Sequence, residues 1–318
     1  MKYSNTLHGY WFLGITVSLL SINHFIAPIA GTYTNLICLF LILTIGISHG
    51  SLDNLKGNKV LKIYKIKNKV IFYLVYITLA LLLTILWLLL PSLTLVTFLI
   101  IASYHFGKED SQFIDWFENL YNSKLNKKIE PFFYFIKGSI VIIAPLSLHF
   151  EETLNIFKIL FVDNYDFLNT LIFLDDNAIF KFALVIIAFI SLSFFIETMC
   201  IIALNIYLSP LIAFTVYFCF LHSIRHSASL IKFIIIEEGK VWKEHEKYID
   251  IELSGISKFI KKALPLTLVT AILFIFSVYI LTNYYVLDDA ILKVIFIGLA
   301  SLTFPHILLE YLLEKNEK

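Results

Sequence analysis

Four short motifs place histidines within, or at the end of, long apolar runs of the sequence. Neutral imidazole is a good ligand for iron, copper or zinc, and it brings no anion into an apolar environment. Polar side chains are costly inside a membrane and usually face the bundle interior, where they serve a function. The motifs are Gly46-Ile-Ser-His49-Gly50-Ser-Leu-Asp53, Ser103-Tyr-His105-Phe-Gly-Lys-Glu109-Asp110, His222-Ser-Ile-Arg225-His226 and Pro305-His306-Ile-Leu-Leu-Glu310.

The pair His222 and His226 has the spacing of neighbours on one helix face. Residues four apart lie one turn, roughly 6 Å, from each other along the axis, so both rings can reach one metal ion. The same spacing is also compatible with hydrogen bonds from each ring to a neighbouring helix. The pair alone therefore fits a metal site and a structural role equally well.

Acids follow three of these histidines at a distance of four residues. A histidine that binds a metal often donates its other N–H to a carboxylate. Acids also mark the water interface at helix ends, and Asp53 and Glu310 fit either role. Glu109 and Asp110 fit the interface better. The pairs are His49 with Asp53, His105 with Glu109 and His306 with Glu310.

The other histidines are assigned no part in this site. His8 and His245 have polar neighbours and no expected role, His24 is alone in an apolar run, and His149 is expected on the outer side. Arg225 lies between the paired histidines on another helix face. A structural ion pair with Glu310 or Asp53 is the favoured expectation for Arg225, and the alternative is that its side chain reaches the cytoplasmic interface.

The composition indicates a membrane protein: of 318 residues, 59% are hydrophobic and only 15% charged. The apolar residues fall in stretches of about 20, the length of a membrane-spanning helix. A net charge of +1 gives no indication of nucleic-acid binding, and three cysteines within apolar runs form no disulfide framework. We predict an all-α polytopic transmembrane helix bundle, with residues 1–318 as a single integral membrane domain. The apolar runs are 10–27, 34–52, 70–90, 92–107, 131–149, 178–208, 209–235, 263–283 and 289–312.

Lysine distribution predicts the orientation, because cytoplasmic loops are enriched in Lys and Arg. The segment 53–69 carries six lysines and 237–262 carries another six, so both are expected inside, whereas the acidic segment 150–177 is expected outside. These placements give eight to ten crossings with both termini cytoplasmic. They also bring the histidines of all four motifs to one level, near the cytoplasmic ends of their helices.

Taken together, the four motifs resemble the signature of the Brp/Blh family of membrane β-carotene 15,15′-dioxygenases. The matching patterns are His49-Gly-x-x-Asp53, Ser103-x-His105-Phe-Gly-x-x-Asp110, His222-x-x-Arg225-His226 and Pro305-His306-x-x-x-Glu310. The resemblance extends from about residue 40 to residue 312.

The resemblance implies an iron-dependent oxidoreductase that cleaves a carotenoid and so acts in retinal biosynthesis. Members cleave β-carotene at its central 15,15′ double bond with O₂ and give two molecules of all-trans-retinal, the chromophore of a microbial rhodopsin. The location implied is the inner membrane of a bacterial or archaeal cell. The family's four Fe²⁺ ligands fall on His49, His105, His222 and His226. His306, Asp53 and Glu310 are candidates for a fifth ligand or for hydrogen-bond partners of the ligands.

Aromatic residues beside the ligands are candidates for lining an apolar tunnel for the polyene. They are Tyr104, Phe106, Tyr217 and Phe218, with Phe220 nearby. For any single one of them, ordinary helix packing is the better explanation.

Three other classes of membrane protein are alternatives. A di-iron desaturase or hydroxylase needs about eight histidines in clustered boxes, and this chain has one His-x-x-x-His and no His-His pair. A transporter with a histidine proton relay is a second class, but no inverted repeat or pair of broken helices is apparent. The third class, a structural or metal-sensing membrane protein without turnover, stays open at this point.

Overall fold

The computed structural model describes residues 2–29, 31, 33–111, 126–162, 192–237 and 248–317, and within these ranges it is helical without strands. The all-α prediction is confirmed. The α-helices are α1 (Lys2–Phe25), α2 (Thr34–Thr44), α3 (Asp53–Ile63), α4 (Val70–Leu89), α5 (Pro91–Ser111), α6 (Asn126–Leu148), α7 (Phe150–Ile159), α8 (Leu192–Tyr207), α9 (Pro210–Val216), α10 (Ile224–Glu237), α11 (Tyr248–Leu281) and α12 (Leu287–Glu317). A 3₁₀ segment (Gly46–Leu52) precedes α3, and a π-helical segment (Tyr217–Ser223) follows α9.

The helices pack as two compact units. The first unit comprises Met1–Leu39 and Trp87–Arg225, and the second comprises Phe40–Leu86 and His226–Lys318. The prediction of a single integral membrane domain is not tested by this division and stays a prediction.

In the first unit, α5 and α6 pack backbone to backbone. A Cβ atom on Gly107 would lie 1.7 Å from the carbonyl oxygen of Tyr134, and one on Gly138 would lie 1.8 Å from that of Ser103. Glycine at both positions lets the helices approach closely, as small residues do at helix crossings in membranes. Helix α1 packs against α8 and the π-helical segment in the same unit.

In the second unit, the 3₁₀ segment packs on α11, and α3 packs on α12. An apolar cluster joins the end of the 3₁₀ segment to α10 and α11; its buried members are Leu52, Leu230, Ile234, Phe259 and Ala263. This packing fixes the backbone that carries Asp53 at the start of α3.

Apolar length identifies candidate membrane spans among the described residues. Four helical stretches qualify, and the bent pair Thr34–Ser48 with Gly50–Ile63 makes up to five. The stretches are Val70–Leu89, Glu130–Leu148, Gly255–Leu281 and Leu287–Asn316. Much of the run 178–208 lies outside the described residues, so eight to ten crossings stays a prediction. The first and third stretches are almost wholly exposed, as expected of surface that faces lipid.

Helix ends follow from local backbone chemistry. Pro91 and Pro210 occupy the first turns of α5 and α9, where a missing N–H costs nothing. Lys65 and Phe161 adopt left-handed φ values of 56° and 69° just after α3 and α7. Both helices lie in stretches that the sequence analysis treated as connecting segments, because they are too polar and too short to form apolar runs.

Candidate functional site

His105 and His222 lie side by side in the first unit. Their ring centroids are 5.6 Å apart and the ring planes are inclined at 70°. Both side chains are buried, His105 on α5 and His222 on the π-helical segment. Two buried imidazoles at this separation can direct nitrogen atoms at one ion. The π-helical turn also changes the local geometry from the regular α-helical spacing that the sequence analysis assumed, a departure common at functional sites.

Asp110 fixes the orientation of the His222 ring. Its Oδ1 lies 3.1 Å from Nδ1 of His222, and its Oδ2 accepts a 2.7 Å hydrogen bond from the hydroxyl of Tyr217. The expectation that Asp110 and Glu109 mark the water interface is wrong, because both side chains are buried. A carboxylate that engages Nδ1 leaves Nε2 as the nitrogen for a metal ion.

Arg225 forms the structural ion pair expected of it, but with a different partner. Two guanidinium nitrogens of Arg225 contact the two carboxylate oxygens of Glu197, and the Nη1–Oε2 distance is 3.1 Å. The prediction of Glu310 or Asp53 as the partner is wrong, because Glu197, which lies on α8, takes that place. Its signal was present in the sequence: an acid within an apolar run is a candidate for a buried ion pair.

His226 and His306 form a second histidine pair, in the second unit. Their ring centroids are 5.3 Å apart, and both side chains are buried. Nδ1 of His306 lies 2.9 Å from both oxygens of Asp53, whose Oδ2 also accepts a 2.8 Å hydrogen bond from Tyr76. As with Asp110 and His222, the Asp53 carboxylate contacts Nδ1 of His306, so that Nε2 points away from Asp53.

Glu310 lies beside this second pair. Its Oε1 is 3.3 Å from Nε2 of His226 and 3.6 Å from Nε2 of His306. Lys56 contacts the same oxygen at 2.6 Å and lies 3.4 Å from Nε2 of His226. Lys56 was counted among the lysines of a cytoplasmic loop; its side chain is instead nearly buried and paired.

The backbone of His49 belongs to the 3₁₀ segment that leads into Asp53. Its side chain lies outside the described residues, as does the whole of His245. The assignment of His49 as a ligand therefore stays a prediction.

The other histidines have structural contacts. Nε2 of His149 lies 2.6 Å from the carbonyl oxygen of Asn205, and the ring of His24 packs on that of Phe25. His8, which was expected to have no role, accepts a 3.2 Å hydrogen bond at Nδ1 from Arg225.

Three of the four aromatic candidates surround His222. Phe106 and Phe218 lie with ring centroids 4.8 Å and 5.8 Å from that of His222, and Tyr217 is also buried. Tyr104 differs, because 38% of its surface is exposed and its ring lies 6.1 Å from that of Tyr134. A role in lining a substrate tunnel stays a prediction for all four.

These features define a helical protein with apolar helices long enough to cross a membrane and with buried histidines, the donors that transition metals prefer. Residues 40–314 match the family model described as beta-carotene 15,15′-dioxygenase, and the chain therefore belongs to this family of oxygenases. The resemblance found in the motifs is confirmed.

A curated relative supports the same assignment. The chain is 26% identical over 276 residues to a beta-carotene 15,15′-dioxygenase of the uncultured marine bacterium 66A03. The matched region covers 85% of this chain and 90% of the relative. No solved structure matches the chain significantly.

Proposed function

We propose that this protein cleaves β-carotene at its central 15,15′ double bond with O₂ and releases two molecules of all-trans-retinal. The observation that carries the proposal is the family match over residues 40–314, which includes all four histidine motifs. The buried histidine–carboxylate pairs give it chemical support, because this chemistry needs a metal and such pairs orient ligands.

The proposed metal is Fe²⁺, with His49, His105, His222 and His226 as its ligands. His306, Asp53 and Glu310 are candidates for a fifth ligand or for hydrogen-bond partners of the ligands. Neutral nitrogen donors suit Fe²⁺. The three of these histidines whose side chains the structure describes, His105, His222 and His226, are all buried. Bound iron would supply activation of O₂; the protein would supply orientation and a dry pocket.

The surroundings of His222 suit an apolar substrate. Phe106 and Phe218 pack against the His222 ring and exclude water from that side. β-Carotene dissolves in the bilayer, so we propose that it enters from the membrane and that retinal passes to a microbial rhodopsin. The proposed location is the bacterial or archaeal inner membrane, with both termini in the cytoplasm.

The test is expression in a bacterial host that accumulates β-carotene. Cells with the wild-type chain in their membranes should lose colour and gain retinal, measured by chromatography of extracts. The His222→Ala and His226→Ala variants should leave the carotenoid intact, whereas His24→Ala is the matched control and should retain activity. Unchanged carotenoid in cells with verified membrane expression of the wild-type chain would exclude the proposed reaction.

Iron content tests the ligand assignment separately from turnover. Purified wild-type protein and His24→Ala should retain iron, whereas His105→Ala, His222→Ala and His226→Ala should lose most of it. Full iron content in a histidine variant would exclude that residue as a ligand. Carotenoid uptake without any cleaved product would favour a transporter.

A further inference from the structure

Four charged side chains lie buried together in the first unit. Asp110, Lys137, Glu197 and Arg225 are each no more than 5% exposed. Their formal charges cancel, which is the condition under which buried ions are tolerated. They come from α5, α6, α8 and α10, so this four-charge network ties together helices that are distant in sequence.

The carboxylate of Asp110 lies at the edge of this network and contacts His222 and Tyr217. An ionised carboxylate only accepts hydrogen bonds, and its two oxygens face Nδ1 of His222 and the hydroxyl of Tyr217. The proton of neutral His222 therefore lies on Nδ1. The lone pair, which a metal ion needs, then lies on Nε2.

The backbone of Asp110 is held by the two cations of the network. Its carbonyl oxygen accepts 3.1 Å hydrogen bonds from Nζ of Lys137 and from Nη1 of Arg225. Both donors also contact Glu197: Nζ of Lys137 lies 3.3 Å from Oε2, and Arg225 binds both oxygens. Glu197 thus fixes the two cations that hold the residue facing His222.

We propose that Asp110 is a positioning residue that sets the tautomer and ring direction of His222 for metal binding, and that Glu197 supports it through Lys137 and Arg225. This inference rests on the proposed function only in taking His222 as a ligand. An ion pair that served stability alone could be replaced by apolar packing. The contact between Asp110 and a ligand nitrogen gives this network a second consequence, in metal affinity.

The experiment measures Fe²⁺ affinity of the purified full chain by competition with a chelator, and the absorption spectrum of the protein loaded with Co²⁺. Asp110→Ala should weaken Fe²⁺ binding by about 10–100-fold, the range found when such partners are removed. The Co²⁺ bands should shift, because one ligand ring is no longer held in place. Unchanged affinity and an unchanged Co²⁺ spectrum would overturn the proposal.

A second variant guards against misfolding of Asp110→Ala. In Asp110→Asn, the amide oxygen can still accept from Nδ1 of His222, and the amide N–H can donate to the hydroxyl of Tyr217, which accepts as well as donates. This variant should fold and bind Fe²⁺ more tightly than Asp110→Ala. If it folds and binds no better than His222→Ala, orientation by a hydrogen-bond acceptor is excluded.

The role of Glu197 is tested by charge balance. Glu197→Gln leaves two cations against one carboxylate and should weaken Fe²⁺ binding, whereas Lys137→Met with Glu197→Gln restores neutrality and should recover most of the affinity. Equal affinity of Glu197→Gln and wild type would exclude the support. A wild-type chain that binds no Fe²⁺ would instead contradict the proposed function, so the two failures are distinguishable.

Discussion

Lys56 and Glu310 form a close ion pair in the second unit, with 2.6 Å between Nζ and Oε1 and 11% exposure of each side chain. A pair this buried gives little net stability over an apolar replacement, but removing one partner leaves an uncompensated charge. Since Glu310 also lies 3.3 Å from Nε2 of His226, the charge state of this pair affects the surroundings of a proposed ligand.

Replacing Lys56 alone should therefore be more harmful than replacing both partners. Lys56→Met should lower the free energy of unfolding by about 3 kcal/mol, towards the lower end of the range for broken buried pairs because some solvent reaches both groups. The Lys56→Met, Glu310→Gln double variant should recover most of that loss. Denaturant unfolding in detergent measures both.

Lys62→Met on the same helix is the matched control, because Lys62 is exposed. A surface substitution of this kind changes stability by no more than about 0.5 kcal/mol. Equal stability of Lys56→Met and Lys62→Met would contradict a buried pair.

Residue types and spacing in the sequence identified the histidine motifs because metal chemistry depends on residue type. Residue type marks Glu197 as a candidate for a buried ion pair, but spacing along the chain does not show that Arg225 is its partner. Glu197 and Arg225 are 28 residues apart in the chain, and their meeting depends on how α8 packs. Local spacing predicts that His306 and Glu310 are neighbours on one helix. It does not predict the contact of His306 with Asp53, which is 253 residues away in the chain.

At the scale of elements, the crossing of α5 and α6 holds His105 and Asp110 in place. Gly107→Ala and Gly138→Ala should each destabilise the protein by at least about 3 kcal/mol, above the usual cost of overpacking, because a Cβ would meet rigid backbone rather than a side chain. Gly14→Ala in α1 is the control, since its Cβ meets nothing within 4 Å. Detergent-solubilised yield and thermal unfolding measure the effect.

Gly14→Ala should be neutral or slightly stabilising, by about 0.5–1 kcal/mol, because alanine loses less backbone entropy in a helix. A Gly107→Ala variant as stable as Gly14→Ala would show that the helices do not cross at this distance.

Apolar runs predicted most helices well, because a membrane-spanning helix is defined by length and hydrophobicity. The runs at 70–90 and 92–107 correspond to α4 and α5, with Pro91 at the boundary as expected. The π-helical segment Tyr217–Ser223 could not be predicted, since hydropathy does not distinguish its hydrogen bonding from that of an α-helix. Helices α3 and α7 were missed because their residues are too polar for the apolar runs.

At the scale of the whole molecule, the exposed apolar stretches Val70–Leu89 and Gly255–Leu281 mark surfaces that need lipid. Orientation can be read with single cysteines, because Cys38, Cys200 and Cys219 are buried and should label slowly. Lys67 and Glu151 are exposed and suit replacement.

Lys67→Cys should react with a membrane-impermeant maleimide in inverted vesicles but not in intact spheroplasts, because the lysine-rich segment is expected in the cytoplasm. Glu151→Cys should show the opposite pattern. Labelling of Lys67→Cys in intact spheroplasts would reverse the proposed orientation.

The four-charge network also constrains biosynthesis. Its members leave the ribosome in the order Asp110, Lys137, Glu197 and Arg225. An ionised side chain that enters lipid without a counter-charge is costly. Lys137 follows Asp110 by 27 residues and precedes Glu197, so these two acids share one cation until Arg225 follows Glu197 by 28 residues. We therefore expect the early helices to remain at the insertion machinery until Arg225 is made, and nascent chains truncated before Arg225 to enter the bilayer poorly and to be degraded.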